Sequence, residues 1–127
     1  MQLHHEKPAA YAIHSYTEHS VTIHETTYTQ SLFVDAQRIQ ALTQMEALTS
    51  IHDLKPNDLL ELIHPCPEIL LIGQTRSSFL LPEQQAFFLQ RKIGVECMSL
   101  DAACRTFNIL LSEERNVGLL LIFSSKA

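Results

Sequence analysis

From residue 53 onward the chain alternates between two kinds of stretch. Glu68–Ile72, Val95–Met98 and Val117–Phe123 are short and largely apolar, and Pro82–Arg91 and Leu100–Leu111 between them have helical spacing. No other feature restricts the fold as strongly. Strands separated in sequence by a helix become parallel neighbours, joined by right-handed crossovers. Glu68–Ile72 and Val117–Phe123 are almost unbroken in apolar character, as expected of strands covered on both faces. A further short helix over Asp58–Ile63 carries Leu59, Leu62 and Ile63 on one side. Pro56 suits its first position, and Pro65 and Pro67 prevent its continuation.

The best-specified segment is Val95–Arg115. Ser99 is placed to cap the helix that follows the strand, and Asp101 puts negative charge in its first turn. Ala103, Phe107, Leu110 and Leu111 form its buried stripe. Gly94 is expected to end the preceding helix. Towards the N-terminus, Tyr11–Tyr16, Val21–His24 and Thr26–Val34 are rich in β-branched and aromatic residues, with polar Thr17–Ser20 between the first two. They predict an antiparallel meander. Met1–Ala10 is expected to be a flexible arm. Asp35–Ile51 is ambiguous, because Ile39, Leu42, Met45 and Leu48 recur at helical spacing.

The same segment carries a family resemblance. Met98, Ala102–Thr106, Asn108, Leu110, Glu114, Arg115 and Val117 resemble the closing motif of the domain of unknown function 498 family, which includes the mitochondrial respiratory complex I assembly factor 3. Ile13–Tyr16, Val21–Ile23, Tyr28 with Ser31–Val34, Pro67–Gly73 and Leu81-Pro82 are similar to other parts of that family. The resemblance implies an extended connection with one strand within Asp35–Ile51, and an assembly-factor role in the eukaryotic branch. The chain departs from the family pattern at Thr75, where a second glycine is usual, and at Phe107, where tyrosine is common.

One domain of 127 residues accommodates all of this, as α/β: an antiparallel N-terminal β-meander joined to a mostly parallel sheet flanked by helices. Nine basic against fourteen acidic residues leave a net charge of −5 with no basic run, which argues against nucleic acid as a partner. No apolar run reaches the roughly 20 residues of a membrane span. Met1–Ala10 has neither signal-peptide nor transit-peptide character, so a cytoplasmic location is expected. Cys66, Cys97 and Cys104 include no C-x-x-C pair, which argues against a disulfide framework or a thiolate metal site. His4, His5, His14, His19 and His24 match no zinc spacing. No motif calls for a cofactor.

In an open parallel sheet, ligands bind beyond the carboxyl ends of the strands. Here those ends supply Gly73, Gln74, Thr75 and Arg76 from one loop, and Ser99, Asp101 and Arg105 from the next turn. Gly73 permits close backbone approach, and Ser99 leads the exposed N–H groups of a helix start. A small anionic ligand or a partner's carboxylate could sit there, although Asp101 opposes an anion. Equally, Arg105 or Arg115 could pair with a carboxylate and Asn108 tie down backbone, with no ligand involved. Cys104 near a helix start could be a nucleophile, but no motif pairs it with a base; as a small core filler it needs none. Phe79–Leu81 is either a partner or dimer contact or a cap on the core. The incomplete catalytic set favours a binding or assembly-factor-like protein. The alternative is a thiol-dependent hydrolase or transferase using Cys104 with Arg105 and Asp101.

Overall fold

The computed structural model describes residues 11–42, 50–76 and 78–123. The expected arm Met1–Ala10, residues 43–49 of the ambiguous connection, and Ser77 lie outside these.

Strands β1 (Ile13–Tyr16), β2 (Val21–Ile23) and β3 (Thr26–Tyr28) form a small antiparallel sheet in that order. The larger sheet has the order β5-β4-β8-β6-β7, where β4 is Leu32–Val34, β5 Ile39–Ala41, β6 Ile69–Gln74, β7 Gly94–Ser99 and β8 Val117–Ile122. Strands β8, β6 and β7 run parallel, while β4 is antiparallel to both β8 and β5. The stretch Thr26–Val34, expected as one strand, is therefore two strands in different sheets. Tyr28 is opposite Val21, but Leu32 is opposite Leu121. The switch occurs at Ser31, whose hydroxyl accepts from Phe123 N–H at 3.0 Å and whose carbonyl accepts from Leu42 N–H at 2.8 Å. Ile39–Ala41 is strand rather than helix, as the family resemblance implied, because β4 offers it a partner along all three residues.

Helices α1 (Pro56–Leu62) and α2 (Pro82–Gln90) cover one face of the larger sheet, and α3 (Leu100–Ser112) covers the other together with the small sheet. The path explains this. The chain steps from β6 to β7 on one side, then returns past β6 to β8 on the other. Crossovers of one hand in opposite directions place their helices on opposite faces. Leu70, Ile72, Leu120 and Ile122 meet Leu59, Phe87 and Phe88 on the first face. Leu71, Leu119 and Leu121 meet Ala103, Phe107, Val21 and Ile23 on the second.

Two details differ from expectation. Gly94 does not end α2 but begins β7. The helix stops at Arg91 and Lys92, the latter at φ 59°, and Ile93 N–H returns to Phe88 O at 3.0 Å. That 6→1 bond is a left-handed helix terminus made without glycine. Asn108 does tie down backbone, but that of a strand. Its Oδ1 accepts from Ile13 N–H at 2.7 Å and its Nδ2 donates to Ile13 O at 2.9 Å, so α3 serves as the missing neighbour of β1.

Candidate functional site: a cleft at the carboxyl ends of β6 and β7

Strands β6 and β7 end in register, Gln74 beside Ser99. The loop after β6 leads to α2 on one face, and β7 passes directly into α3 on the other. Neighbouring strands whose connections part in this way leave a crevice between them. Here the crevice is a cleft of about 420 Å³ lined by Gln74, Thr75, Ser99, Leu100 and Asp101, with Tyr16, Thr17 and Glu18 as its far wall. The wall is the tip of the β1–β2 hairpin. It reaches the cleft because Asn108 holds β1 against α3, and because Thr75 Oγ1 donates to Glu18 O at 3.3 Å.

The polar groups of the cleft are largely engaged with one another. Ser99 Oγ accepts from Ala102 N–H at 3.4 Å and donates to Asp101 Oδ1 at 2.7 Å. Asp101 Oδ2 accepts from Arg105 Nη1 at 2.9 Å. The Ser99 hydroxyl, then Arg105, hold the Asp101 carboxyl below the usual carboxylate range. Arg105 in turn is kept charged by Asp101 first and by the Tyr16 hydroxyl second. The start of α3 is thus occupied by its own acid.

The residues named from sequence divide. Gln74, Thr75, Ser99 and Asp101 line the cleft, and Arg105 borders it through Asp101 and Tyr16. The Gln74 side chain, however, is turned to the α2 face. It accepts from Ile51 N–H at 3.2 Å and donates to Ser78 O at 3.4 Å. Arg76 is exposed on the loop and does not line the cleft. Gly73 has a different reason from the one expected: a Cβ there would lie 2.7 Å from Ala103 Cβ and 3.0 Å from Leu121 Cδ2. It lets α3 lie close on β6, and no ligand can approach it from that side. Sequence reasoning missed Tyr16, Thr17 and Glu18. The only available hint was an aromatic at a strand end before a polar turn. At Phe79–Leu81, Leu80 packs on the core, as a cap would, while Phe79 is 88% exposed.

Cys104 is 1% exposed within the core beneath α3. Burial, with Asp101 adding to it, pushes its thiol up to about 12. Since the thiolate is the reactive form, Cys104 is expected to react slowly near neutral pH. Alkylation read by peptide mapping at pH 8 should modify exposed Cys66 first, half-buried Cys97 more slowly, and Cys104 only on unfolding. Modification of Cys104 in the native protein as fast as Cys66 would restore the thiol-enzyme alternative.

Similarity to known proteins agrees with this fold. The chain is 34% identical over 97 residues to the 13 kDa major membrane protein of Francisella tularensis subsp. holarctica, covering 75% of this chain and 76% of that one. A Xanthomonas campestris structure superposes with a TM-score of 0.79 at 28% identity, over 96% of this chain and 89% of the other. A structure described as an outer membrane protein from Bartonella henselae superposes at 0.75 with 24% identity, over 93% and 98%. No described helix is long and apolar enough to cross a membrane. The model of the family described as protein of unknown function (DUF498/DUF598) matches residues 13–122, which bears out the resemblance read from the motifs. With nearly the whole described fold inside that match, this chain belongs to the DUF498/DUF598 family.

Proposed function

We propose that this chain is a binding protein, not an enzyme, and that the cleft between β6, β7 and the β1–β2 hairpin receives a segment of a partner polypeptide. One observation carries the reading: an open cleft of about 420 Å³ sits at the parting point of two crossovers, while Cys104, one helical turn from Asp101, is buried and its thiol pushed up to about 12. Its charges favour a neutral or basic segment over the anion considered from sequence. The cleft is lined by two carboxylates, Glu18 and Asp101, and by no lysine or arginine; Asp101 engages Arg105 at its border, and Glu18 lies 3.8 Å from His19. Exposed Cys66 is a free thiol, which suits a reducing cytoplasm. The Francisella relative is named a membrane protein, which favours a second reading, that this chain meets its partner at a membrane surface.

A photo-crosslinking residue at Glu18, introduced in cells, should yield one discrete protein adduct, and the same residue at Gln90 on α2 should yield none. Equal labelling from both positions, or a metabolite that co-purifies and is seen by native mass spectrometry in place of a protein adduct, would sink the reading.

A further inference from the structure

The sheets differ in how their outer strands are protected. An unpaired edge invites another chain, and proteins blunt it with shortness, proline, lysine or a bulge. β3 and β5 are three residues each, and β1 has Asn108 against it. β7 has no proline, lysine or bulge and is not short; its one protective feature is the charge of Glu96. It is six residues long, Gly-Val-Glu-Cys-Met-Ser, with one charge, and it pairs with β6 in unbroken register. Among the described residues no strand lies on its other side.

Its free groups can be assigned. Gly94 N–H donates to Glu68 O at 2.9 Å, so Gly94 faces β6. Backbone groups alternate along a strand, so Glu96 and Met98 also face β6, while Val95, Cys97 and Ser99 turn their N–H and C=O outward. The same edge is self-complementary. If it meets its own copy antiparallel about Cys97, Val95 lies opposite Ser99, Glu96 opposite Met98, and Cys97 opposite itself. The three outward residues then exchange bonds in both directions. Centring on Glu96 instead would set two carboxylates directly opposite.

We propose that two copies of this chain pair antiparallel along β7, in the Cys97-centred register, joining their larger sheets into one. This surface shares Ser99 with the cleft but not its hairpin wall, and the proposal stands whether or not the cleft binds a partner.

Analytical ultracentrifugation of the full chain across a concentration range should show a monomer–dimer equilibrium, with the Val95 and Cys97 amides slow to exchange in the dimer. Met98→Glu places a carboxylate opposite Glu96 twice and should weaken the dimer roughly tenfold. Met98→Lys, at the same half-exposed position, should leave it intact or tighter. A monomer at every concentration overturns the proposal and leaves the edge to a strand from another protein. A dimer indifferent to both Met98 substitutions, with fast-exchanging Val95 and Cys97 amides, overturns it in favour of another face.

Discussion

Gly73→Val should destabilise the protein by about 3 kcal/mol or more, at or above the upper end of the overpacking range, and Gly73→Ala by about 1–3 kcal/mol. The reason is steric. The added Cβ meets Ala103 Cβ at 2.7 Å and Leu121 Cδ2 at 3.0 Å, with the Leu100 backbone at 3.4 Å behind them. Ala103 and Leu121 are fully buried, so neither can swing aside into solvent. The helix has to lift from β6, and β6 is the central parallel strand. Had Gly73 been present to admit a ligand, the alanine variant would keep its stability, or gain about 0.4–1 kcal/mol from a stiffer unfolded chain. Chemical denaturation separates the two outcomes by sign. A second substitution sharpens the test. Ala103→Gly alone should cost about 1 kcal/mol in helix propensity, but in the Gly73→Ala background it removes the clashing methyl. The double variant should therefore be more stable than the sum of the single changes implies. Simple additivity would show that the close approach of α3 to β6 is not what Gly73 serves.

Gly73 also marks the boundary of what the sequence discloses. A glycine at the end of an apolar strand has two physical meanings, close packing or ligand access, and only the position of α3 decides between them. Features set by neighbours along the chain were legible. The Ser99 cap, the stripe of Ala103, Phe107 and Leu111, and the strand–helix alternation depend on local spacing and hold in the structure. Features set by distant pairing were not. Thr26–Val34 reads as one strand because β-propensity runs through it, yet Val21 and Leu121 claim its two halves for different sheets. Gln74 looks like a loop residue because it is polar. It is 2% exposed at the end of β6 because Ile51 N–H and Ser78 O give its amide partners on the far face. The lip formed by residues 74–75 and 99–101 follows from the crossover pattern, which the sequence carries. Its opposite wall, Tyr16–Glu18, follows from a contact between residues 95 positions apart, which the sequence does not.

That contact is the subject of the second large effect. Asn108→Ala should destabilise the protein by about 2–4 kcal/mol. The substitution removes two hydrogen bonds to one residue and leaves the Ile13 N–H and C=O without partners beside a buried side chain, each such loss costing about 1–3 kcal/mol. The damage should be local before it is global. Ile13, Val21 and Ile23 pack into the same core as α3, so the small sheet should stay attached but open more often. Hydrogen exchange should therefore quicken in β1 and β2 far more than in β6 or β8, which are held by strand neighbours on both sides. Asn108→Asp keeps the acceptor for Ile13 N–H and loses only the donor to Ile13 O, so its loss should be smaller. The far wall of the cleft depends on the same clamp, so cross-linking from Glu18 should fall in Asn108→Ala under conditions where the protein remains folded. An Asn108→Ala variant that loses less than about 0.5 kcal/mol, with β1 exchanging as slowly as before, would mean that apolar packing alone holds the hairpin in place. The cleft would then owe its shape to Ile13, Val21 and Ile23, and the hydrogen bonds from α3 would only set the register of β1.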